Sequence, residues 1–423
     1  MSREILEQIL SRENMIRALD RVRRNHGSHG VDGMTVDELP TYLATAWPFV
    51  REELLSGTYV PNPVRRVKIP KPDGGTRLLG IPTVLDRLIQ QAIAQVVGPI
   101  FEETFSRNNY GFRPGKSAHD AVRQSCDYIQ QGYTWVVDID LEKFFDRVNH
   151  DIMMSRIARK IEDRRILHLI RKYLKSGVLL NGVKVASEEG TPQGGPLSPL
   201  LANVLLDDLD KELERRGHRF CRYADDCNIY VKSRRAGERI MVSIGRLITR
   251  ELKLRINTAK SAVDRPWNRK FLGFSFYQHK DGAGIRIHPK SIKKVKSTIR
   301  KITNRNHSRN FEERLEILGR VTTGWVNYFG LADAKKIMEE LDGWTRRRLR
   351  ACLWKQWKRI RTKHDNLVKL GVLSPKAWEW ANSRKKYWRI AGSFILATTV
   401  TNQFLEDCGY KSLVKQYAQV HSV

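Results

Sequence analysis

Tyr223-Ala224-Asp225-Asp226 lies between two short segments of strand-forming residues, 220–223 and 228–231. This pattern predicts a β-hairpin with the two aspartates at its tip. Adjacent carboxylates repel each other, and they rarely share a tight turn unless a cation holds them there. The motif alone also fits a solvated acidic turn, so its meaning depends on the residues around it.

A second acidic segment lies upstream, where Asp138 and Asp140 interrupt the apolar run 136–141. The run predicts a strand, and alternation along a strand places these two aspartates on the same face. Carboxylates from two neighbouring strands are the ligands that a pair of Mg²⁺ ions needs for phosphoryl transfer. If this strand lies beside the hairpin, Asp140 and Asp225 can converge although they are far apart in sequence.

The composition indicates a globular protein with a polyanionic partner. The chain has 423 residues, 41% of them hydrophobic, and a net charge of +30 with a pI near 10.1. These values predict two or three domains and favour nucleic acid over a membrane as the partner. The sequence contains no apolar run long enough to span a membrane. The five cysteines stand singly, so neither a zinc ribbon nor a disulfide framework is predicted.

The order of predicted elements is that of an α+β fold, with helices laid over an antiparallel sheet. Hydrophobic spacing predicts one amphipathic helix over residues 1–25, a hairpin over 64–80 and a basic helical stretch over 151–175. From about Pro289 the pattern is helical and strongly basic. The predicted parts are 1–285 with the sheet, an all-helical region 286–370 and a basic C-terminal region 371–423.

The basic helices allow two interpretations. The residues between Trp344 and Lys363 include nine Lys/Arg and no acid. One helix of this kind is usually a solvated face, whereas several in succession on a chain of this charge favour a nucleic-acid channel. The cations expected to contact nucleic acid there are Lys293, Lys294, Arg346, Arg347, Arg348, Lys358 and Arg359.

Short motifs follow one another along the chain: Gly30-Val31-Asp32-Gly33, Ile69-Pro70-Lys71-Pro72 with Thr76-Arg77, Tyr110-Gly111-Phe112-Arg113-Pro114-Gly115, Asp140 with Phe144-Phe145-Asp146, Thr191-Pro192-Gln193-Gly194-Gly195-Pro196-Leu197-Ser198-Pro199, Tyr223-Ala224-Asp225-Asp226, Asn257 with Lys260-Ser261, Phe271-Leu272-Gly273-Phe274, and Gly324-Trp325 with Asn327-Tyr328-Phe329. In this order they resemble the motifs of group II intron reverse transcriptases and maturases, in the compact branch without an endonuclease domain. Each motif is weak alone, but their joint order is specific. The resemblance implies a right-hand polymerase fold with fingers and palm in 1–285, a thumb or maturase (X) domain in 286–370, and a DNA-binding-like C-terminal region in 371–423.

The resemblance also implies a catalytic set, Asp140, Asp225 and Asp226, with two Mg²⁺ ions as cofactor. The implied metal set adds Leu141 to these three aspartates. Asp138 is expected to be structural, because the five-residue spacing to Phe145 matches Asp140. Phe145 would then stack under the sugar and exclude a ribose 2′-hydroxyl. The alternative for Phe145 is an ordinary core aromatic.

The implied nucleotide contacts are spread along the chain. Lys71 and Arg77 flank the turn of the predicted fingers hairpin and would clamp the incoming triphosphate. Gln193 and Gly194 would approach the nascent base pair, the glycine without a Cβ clash. Lys260 would lie near the phosphates, although a solvated lysine fits equally well. Template contacts are expected from Arg65, Arg66 and Arg113, the last of which could instead be a structural residue.

The implied function is that of an RNA-dependent DNA polymerase that copies intron RNA into DNA and assists splicing of that RNA. Its partners would be the intron RNA template, a DNA primer or target and dNTPs, with no membrane. We expect a cytoplasmic, nucleoid-associated protein of a bacterium. Two alternatives remain open: the same polymerase in a host role such as repair or CRISPR adaptation, and a splicing-only RNA chaperone. The intact aspartates argue against the chaperone.

Overall fold

The computed structural model describes residues 5–70, 75–180, 183–185, 190, 194–279 and 282–421. The chain divides into two compact units, Met1–Arg265 and Pro266–Val423. The division precedes the boundary expected near residue 285, and the three-part organisation stays a prediction. In the part of the chain that the structure describes, no helix combines the length and the apolar character needed to cross a membrane.

The first unit contains helices and short strands in alternation. Its helices are α1 (Ile5–Ile9), α2 (Arg12–Arg24), α3 (Leu39–Ser56), α4 (Val84–Glu102), α5 (Ala118–Gln130), α6 (His150–Ile157), α7 (Arg164–Lys175), α8 (Ser198–Arg215) and α9 (Arg234–Arg250). Its strands are β1 (Val64–Pro70), β2 (Thr76–Ile81), β3 (Trp135–Ile139), β4 (Val178–Leu180), β5 (Val183–Val185), β6 (Arg219–Tyr223), β7 (Asp226–Val231) and β8 (Ala262–Asp264).

The central sheet of this unit is antiparallel, in the strand order β6-β7-β3-β8. One face buries Val137 and Ile229 and packs against α9, where Gly237 lacks a Cβ that would lie 2.5 Å from Val263. On the other face, the ring of Tyr230 lies 5.7 Å from that of Tyr128 in α5. The expected α+β fold, with helices laid over an antiparallel sheet, is therefore confirmed.

A second sheet has the order β2-β1-β4-β5. Its antiparallel pair β1 and β2 is the hairpin predicted over residues 64–80, and β4 joins β1 in parallel. The core of the first unit includes α4, whose apolar residues recur every three or four positions and are buried; Leu88, Ile89 and Ile93 are among them.

Two predicted helices are interrupted. The helix expected over residues 1–25 breaks after α1, because the Ser11 side chain accepts a hydrogen bond from Asn14 N and caps a new helix, α2. The stretch 151–175 likewise breaks into α6 and α7, with Asp163 capping α7 through Arg165 N. Both caps were visible in the sequence as Ser and Asp, but the apolar spacing continued across them.

The second unit is a β-hairpin followed by helices. The elements are β9 (Phe274–His279), β10 (Gly282–Ile287), α10 (Pro289–Ile302), α11 (Phe311–Phe329), α12 (Lys335–Gln356), α13 (Ile360–Lys369), α14 (Ser374–Ala381), α15 (Tyr387–Ile390), α16 (Phe394–Thr399), α17 (Asn402–Asp407) and α18 (Leu413–His421). β9 and β10 pair antiparallel.

The C-terminal residues of the second unit pack into its core. The Asp342 carboxylate of α12 is fully buried. It accepts hydrogen bonds from Tyr410 OH at 2.7 Å and Leu413 N at 2.8 Å, and it pairs with Arg346. From the middle of α18, Tyr417 OH donates to Ala332 O at 2.8 Å. The last helix of the predicted C-terminal region is therefore an integral part of the helical unit.

We predict that Asp342→Ala destabilises the second unit by about 3–5 kcal/mol, because it leaves buried donors and the Arg346 guanidinium without their acceptor. Urea unfolding followed by tryptophan fluorescence measures this, since eight of the ten tryptophans lie in residues 266–423. Glu316→Ala is the matched control, because the Glu316–Arg320 pair is 71% exposed on both sides and should contribute little. Equal stability of the two variants would contradict the prediction.

Candidate active site

The turn between β6 and β7 holds two of the predicted catalytic residues. Tyr223 pairs with Asp226 across the hairpin, so the predicted hairpin is confirmed, but its tip is Ala224 and Asp225, and Asp226 is the first residue of β7 rather than part of the tip. Ala224 adopts the left-handed conformation with φ 57°, which costs a non-glycine residue about 1–2 kcal/mol. The surrounding structure must offset that cost.

The Arg222 side chain supports this turn from inside the unit. It is fully buried and forms a two-pronged salt bridge with Asp210 of α8, at 2.7 Å from Nε and 2.6 Å from one terminal nitrogen. Its remaining nitrogen donates to Ala224 O at 2.8 Å and to Asn203 Oδ1 at 3.1 Å. Burial raises the pKa of the Asp210 carboxyl, and the charge of Arg222 opposes that rise. The guanidinium thus fixes the turn carbonyl between the strands and α8.

The segment around Gly111 closes on the same turn from outside. Tyr110 N donates to Arg222 O at 2.8 Å, and Arg222 N donates to Asn108 O at 2.9 Å. A Cβ on Gly111 would lie 2.2 Å from Ala224 N. Only glycine allows this approach, which explains why the Tyr110–Gly115 motif accompanies the Asp225 motif in the sequence.

Asp140 lies at the same end of the sheet. It follows β3, and Ile139 of β3 is opposite Cys227, so continuing the register by one residue places Asp140 opposite Asp226. Its backbone is fixed on both sides: Asp140 N donates to Ser261 Oγ at 3.0 Å, and Asn257 N donates to Asp140 O at 2.8 Å. The predicted adjacency of the two acidic strands is confirmed, and Ser261 is a contact that the sequence did not reveal.

The donor set at this end of the sheet fits a metal bound together with a substrate. Among the described residues, no three or more His, Cys, Asp or Glu side chains form a group that could hold a metal ion by themselves. Mg²⁺ in nucleotide sites does not need such a cage, because one or two carboxylates with substrate phosphates and waters complete its shell. Asp140, Asp225 and Asp226 would be the carboxylate donors of such a site, whereas Leu141 is buried and could contribute only its backbone.

Asp138 lies within the sheet rather than at its end. It is paired with Asn228 on one side and Ala262 on the other, and the Asn228 side chain is buried. Burial raises the pKa of Tyr230, and the charge of Asp138 adds to that rise. This placement supports a structural role for Asp138, as expected from the sequence.

Phe145 borders a cavity of about 480 Å³ in the first unit. It lies in the short 3₁₀ turn Phe144–Asp146, and its ring stands at 77° to that of the more deeply buried Phe144, 5.0 Å away. Gly194 and Gly195 line the same cavity, and a Cβ on Gly194 would lie 2.7 Å from Gly80 O. Phe145 is therefore both a core residue and part of the cavity wall.

Comparison with known proteins identifies the family. The profile described as "Reverse transcriptase (RNA-dependent DNA polymerase)" matches residues 69–276, and that of the "Group II intron, maturase-specific domain" matches residues 292–371. Protein YkfC of Escherichia coli is 35% identical over 294 residues, covering 60% of this chain and 76% of that protein. The group II intron-encoded protein LtrA of Lactococcus lactis is 42% identical over 161 residues. The chain belongs to the group II intron reverse transcriptase and maturase family.

Family membership makes this reverse transcriptase an RNA-directed DNA polymerase, as the motifs implied. The region similar to LtrA spans 38% of this chain and 27% of LtrA. A solved structure titled "Partial Cas6-RT-Cas1--Cas2 complex" is similar over 58% of this chain and 42% of that chain, at 26% identity and a TM-score of 0.38. That score is too low to support an argument.

The predicted nucleotide contacts of the reverse transcriptase are only partly placed. Lys71 and Gln193 lie outside the described residues, as does the side chain of Arg77, whose backbone pairs with Ile69. Lys260 lies in the turn that Asn257 begins, since Lys260 N donates to Asn257 O at 3.1 Å. Of this predicted set, the structure brings Phe145 and Gly194 together at one cavity.

The arginines of the first unit have mostly structural partners. Arg65 donates to His29 O at 2.8 Å, and Arg66 lies on the same strand. Arg113 is 7% exposed and pairs with Glu102 at 2.6 Å, so its position favours the structural alternative over a template contact. Sequence reasoning missed Arg87 and Gln91, which line the Phe145 cavity, because on α4 they have the spacing of ordinary helix residues.

The arginine triplet of α12 is also engaged within the protein. Arg346 pairs with Asp342, Arg347 donates to Trp388 O at 2.9 Å, and Arg348 donates to Thr303 Oγ1 at 2.6 Å. By contrast, the four other cations predicted to contact nucleic acid are exposed; these are Lys293, Lys294, Lys358 and Arg359. Charge counting alone could not separate these two groups.

We predict that Gly111→Ala lowers the rate of primer extension by roughly 10²-fold, because the new Cβ must displace the turn that presents Asp225. Steady-state extension on an RNA template measures this. Gly98→Ala is the matched control, since no atom lies within 4 Å of its added Cβ and alanine favours the helix. A folded Gly111→Ala enzyme with the wild-type rate would show that the turn tolerates this displacement.

Proposed function

We propose that this reverse transcriptase extends a primer 3′-hydroxyl with dNTPs on an RNA template, using Asp140, Asp225 and Asp226 to bind two Mg²⁺ ions. The observation that supports this best is the register of β3 and β7, which brings Asp140 opposite Asp226 beside the fixed turn. Bound Mg²⁺ supplies activation of the primer hydroxyl and neutralisation of the triphosphate charge. The protein contributes fixed positions for the carboxylates.

Two further features orient the nucleotide in this proposal. Gly194, with φ 127°, lets backbone approach the nascent base pair, and Phe145 on the wall of the same cavity takes the sugar. A ring beneath the sugar leaves no space for a 2′-hydroxyl, so deoxynucleotides are selected. The proposed contacts of the triphosphate and the base pair also include Lys71, Arg77, Gln193 and Lys260.

The RNA partner is proposed from the family and the charge. The maturase-specific match over residues 292–371 and the net charge of +30 support binding of an intron RNA that is also the template, and assistance in its splicing. The exposed cations of α10 and of the segment after α12 neutralise phosphates and release counterions. Arg346, Arg347 and Arg348 contribute positive electrostatic potential that attracts the RNA, while their side chains stay bound to partners within the protein.

We predict that Asp225→Ala lowers the rate of Mg²⁺-dependent DNA synthesis on the order of 10³-fold, because a metal ligand stabilises the transition state by several kcal/mol. Single-turnover primer extension measures the chemical step. Asp37→Ala, which removes an exposed carboxylate outside this sheet, should leave the rate unchanged. Near wild-type extension by Asp225→Ala would refute the catalytic assignment.

We predict that Phe145→Val admits ribonucleotides while deoxynucleotide use is partly retained, because the smaller side chain leaves room for the 2′-hydroxyl. The measurement is kcat/KM for a dNTP and for the matching rNTP on one primer and template. Phe144→Leu, a change at the more buried neighbour, should lower both efficiencies without changing their ratio. If the ratio for Phe145→Val also stays constant, Phe145 is only a core residue.

A further inference from the structure

A basic cavity of about 270 Å³ lies in the second unit, away from the catalytic aspartates in sequence. It is lined by the loop 304–306 after α10, by Arg348 and Cys352 of α12, and by Trp388 of α15. Among the described residues that line it there is no Asp or Glu. A polar cavity with cations and no acid is suited to an anionic ligand.

Several cations surround this cavity. Burial raises the pKa of the Cys352 thiol, whereas the nearby charges of Arg314, Arg348, Arg305 and Lys355 lower it. Arg314 and Arg348 donate to Asn304 O at 3.1 Å and Thr303 O at 3.2 Å, where the C-terminal dipole of α10 offsets part of their charge. Arg305 is exposed, and its guanidinium lies 5.1 Å from the ring centre of Tyr387.

The Trp388 side chain is held in place yet remains 39% exposed. The Arg347 guanidinium lies 4.2 Å from its ring centre and also donates to Trp388 O. A Cβ on Gly392 would lie 2.6 Å from Arg347 Cζ, so the glycine makes room for this arrangement. An exposed indole fixed by a cation is a preorganised surface for stacking a nucleobase.

We propose that this cavity binds one unstacked nucleotide of a single-stranded nucleic acid, with the base on Trp388 and the phosphate against Arg305 and Arg348. The proposal rests on the proposed function, because a reverse transcriptase must handle single-stranded template, but it assigns a site that the polymerase chemistry does not use. The volume of about 270 Å³ is at the small end for a ligand cavity, so the site has room for a single nucleotide at most. Duplex bases are paired and stacked, so the site should discriminate against duplex.

The test compares variants of the full chain for binding to three fluorescein-labelled probes by anisotropy: an unstructured 12-nucleotide RNA, the DNA of the same sequence, and the RNA paired with its complement. Trp388→Leu should bind both single strands about 10-fold more weakly and the duplex as the wild type does. Trp388→Phe, which keeps an aromatic face, should restore binding. If Trp388→Leu loses more affinity for the RNA strand than for the DNA strand, the site also contacts the 2′-hydroxyl.

The phosphate contact is tested by salt titration of the same RNA. Arg305→Gln should reduce the log–log slope by about 0.7, the value for one phosphate contact on a single strand, and should weaken single-strand binding selectively. Lys301→Gln is the matched control, because it removes an exposed charge of the same segment that does not line the cavity. Lys301→Gln should change the affinity for single strands and for duplex to the same extent.

The proposal is overturned if Trp388→Leu binds single strands as tightly as the wild type, or if it loses single-strand and duplex binding equally. Thermal melting of each variant shows whether an equal loss reflects unfolding, and Trp388→Phe then decides the question in a folded protein. Primer extension on a pre-annealed template is measured in parallel. If the wild type extends primers but the variants show no selective loss of single-strand binding, the proposed polymerase function stands and the proposed nucleotide site is wrong.

Discussion

The buried salt bridge between Arg222 and Asp210 is the constraint on which the β6–β7 turn depends. Both side chains are fully excluded from solvent, and such a pair is costly to bury unless its geometry is good and its remaining donors are satisfied. Here the guanidinium forms a two-pronged pair, and its other nitrogen reaches Ala224 O. Breaking one partner would leave an uncompensated buried charge, at a cost of about 3–5 kcal/mol. The same interaction therefore stabilises the fold and fixes the turn.

This constraint explains how two adjacent aspartates can share a tight turn. Their repulsion and the left-handed Ala224 both work against the conformation, but the backbone is held by Arg222 from within and by the Gly111 segment from outside. Asn203 connects the two supports, since it accepts from Arg222 and donates to Gly111 O at 2.8 Å. The turn is thus preorganised by the protein, and a metal need not create it. Because the turn is already in place, its backbone does not have to reorganise during the reaction.

The sequence was sufficient for the hairpin, the acidic strand beside it and the α+β class, because strand alternation and tight turns are local properties. It was not sufficient for Ser261 or Arg87, whose partners are far away in the chain, or for Arg222, whose partner Asp210 lies on a separate element, the helix α8. Ser261, for example, is 121 residues from Asp140. The single helix expected over residues 1–25 failed for a related reason: apolar spacing continued through Ser11, and only the capping bond shows the break.

The second unit shows why charge patterns alone do not identify a binding surface. Arg346, Arg347 and Arg348 of α12 are held by fixed partners within the protein, such as Asp342 and Trp388, whereas Lys293 and Lys294 of α10 are exposed. Arginine suits the first role because its planar guanidinium stacks and forms several directed bonds, and lysine suits the second because its ammonium is a mobile, strongly hydrated charge. A surface built from both can attract a polyanion over distance through the lysines and orient it through the arginines. Sequence composition gives only the sum of these charges. The contacts in the structure are needed to distinguish the cations that attract a polyanion from those that orient it.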